Sequence, residues 1–328
     1  VTALSVGDGS LMEIVVPVAT TWRLGPVRFD ANTAFASAKY EQGGTESTIS
    51  GITDITVRLM IPMLRDQARL IVAGNIPTGT ESLAADQLPV AAILTTDLLA
   101  LPVRSFGSGA GVTTGLAVAR PAGSWVLGGI AVYRVGSAYE PVLGTGTAQS
   151  SEFRPGSEFR LRLAGERPAT SGVAWRAAAS WSHFGSDQAD DEEVFVRGDR
   201  LLGELSAELP VGRGAASVFA WNLFRSSSEI VVNDAPEETP SSNLAGLGGE
   251  VAWPLSAALT VRPRVELLLQ SGDEGFGGGS GWMTRVGSGA SWRFGSLRFE
   301  PAVLAQIGAL GDADITGVVI RGGVLWER

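Results

Sequence analysis

The sequence predicts an all-β protein, a single up-and-down antiparallel transmembrane β-barrel of about sixteen strands over residues 1–328. Three observations carry that expectation. Apolar and polar residues alternate with a period of two in segments from end to end of the chain. The connections between those segments are short and long in turn. The chain is 45% hydrophobic and only 18% charged, against about a quarter charged for soluble domains, yet no segment is apolar enough for a membrane helix.

The alternation is plainest in "LTVRPRVELLLQSGDEG" (259–275), where Arg262, Arg264, Glu266 and Gln270 interleave with Val261, Val265, Leu267 and Leu269. Side chains of a strand alternate faces, so one face is charged and the other aliphatic. "SEFRLRLAGER" (157–167), "LRFEPAVLAQIG" (297–308), "ITDITVRLMIP" (52–62) and "LLGELSAELP" (201–210) repeat the pattern. The longest apolar stretch, "LPVAAILTTDLLALPV" (88–103), is interrupted by Asp97 and two prolines and falls short of the ~20 residues a spanning helix needs.

Tight turns are expected near "RLGP", "MLRDQA", "RPAGS", "ERPATSG", "VGRGA", "PLSAA" and "RFGS". Longer links are expected at "EQGGTEST", "EPVLGTGTAQSSEFRPG", "GSDQADDEE", "VVNDAPEETPSSN" and "SGDEGFGGGSG", and the longest external loop at about 80–109. An up-and-down barrel places its short turns on the periplasmic side and its long loops outside. The final segment, "ITGVVIRGGVLWER", then runs down, and counting back gives fifteen strands from Leu11 onward. A short first strand within "VTALSVG" completes sixteen; fourteen results if one hairpin is irregular.

An arginine facing lipid near the midplane costs up to ~2–4 kcal/mol, so the charged faces must line the interior. That places Arg58, Arg134, Arg160, Arg162, Arg176, Glu204, Glu208, Glu250, Arg262, Arg264, Glu266, Arg285, Arg298 and Glu300 inside. The set suits either a polar passage or a lumen knitted shut by its own ion pairs. Trp22, Trp125, Trp175, Trp181, Trp253, Trp282, Trp292 and Trp326 lie near strand ends, as an aromatic girdle at the two membrane boundaries requires. Tryptophan is also simply a common strand residue.

"ESLAADQLPVAAILTTDLLALPVRSFG" (81–107) breaks the strand pattern and is too apolar to lie in water. A loop folded into the barrel mouth would bury it. A helix packed on the rim, or a contact with a neighbouring copy, would do the same. The acidic loops "GSDQADDEE" (185–193) and "NDAPEETPSS" (233–242) read as solvated surface; divalent cations bridging lipopolysaccharide phosphates are the alternative, without an EF-hand order of ligands.

Several chemistries are excluded by count. There is no cysteine, and His183 is the only histidine. Thiolate and histidine-based metal sites are therefore absent, and any serine–histidine–acid site would have to use His183. His183 shares the face of Trp175 and Trp181 at the outer rim, where outer-membrane phospholipases carry a histidine and a serine. No surrounding motif resembles theirs, so an interfacial histidine is expected, with no enzymatic activity and no cofactor. The net charge of −9 argues against nucleic acid as a partner. Val1 reads as a processed or trimmed start.

"GITDITVRLMIPMLRDQARLIVAGNIPTGTES" (51–82) resembles a segment of Gram-negative outer-membrane transporters of the MetA-pathway phenol-degradation family, FadL-like in style. Gly51 and Asp54 stand at the G-x-x-D strand of that family, and Pro77, Thr78 and Gly79 at the P-T-G before its long loop. The likeness covers about a tenth of the chain. It implies passage of hydrophobic or aromatic small molecules. One departure is the end "VLWER", where outer-membrane barrels usually finish on an aromatic residue. The expectation is an outer-membrane channel for passive passage of small solutes, with lipid and lipopolysaccharide around it. A plugged barrel serving as anchor, adhesin or assembly partner is the alternative.

Overall fold

The computed structural model describes residues 1–65, 67–143, 151–169, 172–232, 235–272 and 279–326. Nineteen strand segments form one antiparallel sheet that closes on itself. Three staves of the barrel are built from two segments each, which leaves sixteen staves. Thr45–Ile52 and Ile55–Met63 are parted at Thr53 and Asp54. Leu297–Phe299 and Ala302–Leu310 are parted beside Pro301, which has no N–H to give a ladder. Ala313–Arg321 and Val324–Trp326 form the last stave. The short strand Thr2–Val6 closes the ring, pairing with Gly9–Leu24 on one side (Thr2↔Glu13) and with Ala313–Arg321 on the other (Thr2↔Val319).

The connections sort by end. At one end residues 25–26, 64–67, 123–124, 168–173, 212–213, 255–258 and 295–296 join neighbouring staves. Every connection longer than these lies at the opposite end, together with tight turns at 7–8, 43–44 and 311–312. "EQGGTEST" is therefore a two-residue hairpin rather than a long link. Its turn uses Gly43 and Gly44 at φ 58° and 80°, the left-handed pair that matches strand twist. The longer link expected at "SGDEGFGGGSG" begins where the strand Leu259–Ser271 ends, and its residues 273–278 lie outside the described residues.

Two further structures occupy the long-loop end. Phe153–Arg154, Ser186–Ala189, Glu192–Val196, Ser228–Val232 and Ala235–Thr239 pair into a separate five-stranded sheet beyond the barrel. It carries Asp190, Asp191, Glu192, Glu193, Glu229, Glu237 and Glu238. Much of what the acidic composition presents as loop is thus ordered sheet. Residues 77–110 turn the other way, into the barrel, with one helix, α1, at Leu88–Leu94 flanked by 3₁₀ turns at Ala85–Gln87 and Asp97–Leu99. None of the described helices is long and apolar enough to cross a membrane.

The hydrophobic core lies between this insertion and the inward faces of the long-loop half. Val90, Leu94, Leu98 and Leu99 are at most 1% exposed, packed with Leu11, Ala36, Ala38, Ile49, Leu268, Met283 and Ile315. Each of these side chains larger than alanine contributes about 1.5–3 kcal/mol when removed from water. The opposite face of the same strands exposes Val16, Val18, Leu116, Leu163, Leu205, Leu247, Val265, Val286, Val303 and Ile307. An apolar belt of that extent is far larger than the patches soluble proteins tolerate, and it suits a hydrocarbon surround.

Candidate functional site

Strand register decides which residues share the inner face, since residues directly paired across antiparallel strands point the same way. The face that holds Leu268 and Met283 against the insertion is the inner one. On that face Glu266 pairs in register with Arg285, and Glu250 with Arg264. Following the ladder, Asp30↔Arg58, Arg58↔Ala73, Ala73↔Thr113, Thr113↔Arg134 and Arg134↔Glu158 continue it around the wall. Arg160 and Arg162 alternate from Glu158, and Glu166↔Arg176↔Ser206 brings in Glu204 and Glu208 by the same parity. Arg262 faces Gly289, and Arg298 faces Arg293. Glu300 follows Arg298 and pairs with it at 3.2 Å.

The inner carboxylates and guanidinium groups meet in short networks. Asp30 is held by Arg28 and Arg58, both at 2.8 Å. Glu266 is shared by Arg264 at 3.3 Å and Arg285 at 3.8 Å. Asp97, on the insertion, lies between Arg104 and Arg225. Glu158 binds Arg160 at 2.5 Å, Glu204 binds Arg162, and Glu166 meets Arg176 at 3.4 Å. Asp30, Glu158 and Glu166 were legible from the same alternation but lie outside the set singled out above. Asp97 belongs to a segment without strand pattern, so no periodicity marks it.

The outward face carries Trp22, Trp125, Trp175, Trp181, Trp253, Trp282, Trp292 and Trp326. Six stand toward the short turns; Trp181 and Trp282 stand toward the long loops. Trp221 alone among the tryptophans points inward. Its indole lies over Gly246, where a Cβ would come within 2.3 Å of Nε1. Phe219 is accommodated in the same way by Gly248.

The insertion is fastened to the wall at both of its ends by one side chain. Asp54, in the break of its stave, accepts hydrogen bonds from Gly79 N at 3.0 Å and from Ser108 N at 2.9 Å. Asn75 Nδ2 donates to the same carboxylate at 2.8 Å. Thr78 Oγ1 donates to Thr53 O and accepts from Ile55 N. Asp54, Thr78 and Gly79 of the G-x-x-D and P-T-G positions thus form a clamp at the stem of the insertion. Gly79 is needed there because a Cβ would fall 1.8 Å from Phe106 O. Deeper in, Val103 N donates to Glu13 Oε1 at 2.9 Å and Arg285 Nη2 to Leu99 O at 2.8 Å.

Below the insertion the barrel is hollow. A cavity of about 530 Å³ is lined by Arg162, Glu166, Arg176, Glu204, Phe219 and Trp221 among others. A second, of about 380 Å³, shares Ala119, Gly128, Arg162 and Ala164 with it. A third, of about 480 Å³, lies between Val15, Asn32 and the underside of residues 102–108. These volumes are in the range that holds one small organic molecule.

His183 lies outside, stacked on Trp181 with ring centroids 5.9 Å apart. Its Nδ1 is 2.8 Å from Asp199 Oδ1, and Trp181 Nε1 donates to Asp199 Oδ2 at 2.9 Å. Burial of Asp199 pushes its carboxyl up, but the hydrogen bonds from His183 and Trp181 outweigh that and hold it below the ordinary carboxylate range. Among the described residues no group of three or more His, Cys, Asp or Glu is gathered to hold a metal ion.

No family model matches the chain, and no curated protein does. Solved structures do. The chain is similar to OpdL of Pseudomonas aeruginosa, with 12% identity, 99% of this chain and 96% of that one covered, and a TM-score of 0.48. It is similar to a bacterial polysaccharide outer membrane secretin at 9% identity, covering 100% and 97%, with a TM-score of 0.48. OmpT of Vibrio cholerae, in a form lacking loop L8, follows at 11% identity, 97% and 100% covered, and a TM-score of 0.41. The sixteen-stave barrel stands on its own strand pairing.

Proposed function

We propose that the chain resides in the outer membrane of a Gram-negative bacterium and passes small solutes passively through its lumen. The observation that carries this reading is the hollow, charge-lined space beneath the insertion, bounded by Arg162, Arg176, Glu204 and Trp221. A wall whose outer face is apolar and whose inner face is paired charge separates two solvents, as a passage through a bilayer requires. The insertion at residues 77–110 narrows the mouth. Hydrophobic or aromatic solutes are supported by the resemblance at residues 51–82 and by Phe219 and Trp221 in the cavity wall. Purified protein in planar bilayers should give stepwise currents, and liposomes carrying it should take up small solutes. Folded protein, recognised by its heat-modifiable gel mobility, that stays silent in both assays contradicts the reading.

A second reading is favoured by one observation: the insertion is packed as tightly as a protein core, with Val90 and Leu98 fully buried. In that reading the barrel is closed and works through its outer surface, as an anchor, adhesin or assembly partner. Wild-type silence followed by current on deletion of residues 86–104 identifies it.

A further inference from the structure

The protein as a whole is acidic, with a net charge of −9, which taken alone would favour cations. The charge is not evenly placed. The five-stranded sheet beyond the barrel carries a run of carboxylates, Asp190, Asp191, Glu192 and Glu193 on one hairpin and Glu229, Glu237 and Glu238 on the other. Inside, the balance reverses. Asp30, Asp97 and Glu266 are each shared between two guanidinium groups, so each network keeps one positive charge in excess. Arg69, Arg134, Arg200 and Arg262 share the inner face by register and have no carboxylate at ion-pair distance among the described residues. Glu208 and Glu250 are opposing inner carboxylates outside the ion pairs, and Glu13 and Asp54, also inner and outside them, are engaged by N–H groups of Val103, Gly79 and Ser108.

We infer that the lumen is an anion path and that Arg200 is its first station. This rests on the channel reading above. Arg200 stands at the long-loop end of Arg200–Val211, directly opposite Arg225 and one strand removed from Arg160 through Ser182. Arg160 and Arg225 have Glu158 and Asp97, whereas the Arg200 guanidinium lies 5.0 Å over the Phe184 ring. A ring face leaves the in-plane N–H donors of a guanidinium free for an anion. Further down, the Nε atoms of Arg262 and Arg264 are buried without an acceptor. An anion entering at the mouth thus meets Arg160, Arg200 and Arg225 in one row, then Arg162 and Arg176 around the main cavity. A row of arginines in a low-dielectric wall favours anions over cations. The ligand class is a small anion, whether inorganic or an organic acid.

The test is the reversal potential of the full chain in a planar bilayer under a KCl gradient. Chloride preference is expected. Arg200→Glu should lower the chloride-to-potassium permeability ratio severalfold, and Arg200→Lys should retain the preference. A potassium-preferring wild type overturns the inference while leaving the channel reading intact. Silent bilayers count against the channel reading, and lumen polarity is then read from Trp221 fluorescence, isolated by difference from Trp221→Phe. Iodide should quench it more than caesium at equal ionic strength; equal or stronger quenching by caesium overturns the inference in that setting.

Discussion

Asp54 bears more than its own place in the wall. Its carboxylate takes N–H groups from both ends of the insertion, at Gly79 and Ser108, so losing it leaves two backbone donors without a partner. A buried unmet donor costs about 1–3 kcal/mol, enough to loosen the stem without unfolding the barrel. Asp54→Ala should therefore make residues 80–107 sensitive to added protease while heat-modifiable mobility persists; unchanged protease resistance would show that packing alone holds the insertion. Gly79→Ala should act at the same place and more severely, because its Cβ would sit 1.8 Å from Phe106 O. Gly203→Ala is the control, since nothing lies within 4 Å of that Cβ and the strand is regular. The same protease assay compares them, and equal behaviour of the two alanines would refute the steric argument.

At the scale of elements, the staves and the insertion differ in what holds them. The staves are fixed by ladders on both sides, whereas the insertion is held by buried side chains and the clamp. Leu98→Ala removes a fully buried side chain from the insertion core, at a cost of about 2–5 kcal/mol in packed interiors. Single-channel recordings should show it more often in high-conductance states than the wild type; an identical current distribution would mean that the insertion does not control the mouth. The staves were also the elements most legible in the sequence, and the reason is physical. A wall between two solvents must alternate at every step, so Arg262, Val265 and Glu266 declare their faces without further context. The insertion announced itself by apolarity; the sequence suggests a helix there only as one packed on the rim, whereas Leu88–Leu94 buries Val90 and Leu94 in the core, and seven residues are too few for a helical period to show. The outer five-stranded sheet was not legible. Its strands are two to five residues long, too short for an alternation to show, and they pair with one another beyond the barrel. "EQGGTEST" misled for a related reason: its polar strand ends rise beyond the apolar belt, where Lys39 and Glu46 pair at 2.8 Å on the outside.

For the whole molecule, the arrangement is a separation of environments. Val265 and Leu269 face outward and Glu266 inward on one strand, so equal changes at adjacent positions should have unequal effects. Val265→Arg places a charge in the hydrocarbon region and should cost up to ~2–4 kcal/mol of folding stability in bilayers, whereas Arg264→Val should cost less because it removes a charge from the inner face. Denaturant titration in lipid vesicles compares them, and similar losses would contradict the assignment of faces. The clearest single measurement uses the absence of native cysteine. Arg162, on the inner face of Glu158–Arg167, lines the main cavity, and Leu163 is its outward neighbour. Cysteine placed at each position in turn is exposed, in a conducting bilayer, to a membrane-impermeant thiol reagent. The account predicts that current falls for Arg162→Cys and is unchanged for Leu163→Cys. Block at Leu163→Cys alone, or at neither position, would contradict a water-filled passage bounded by that face.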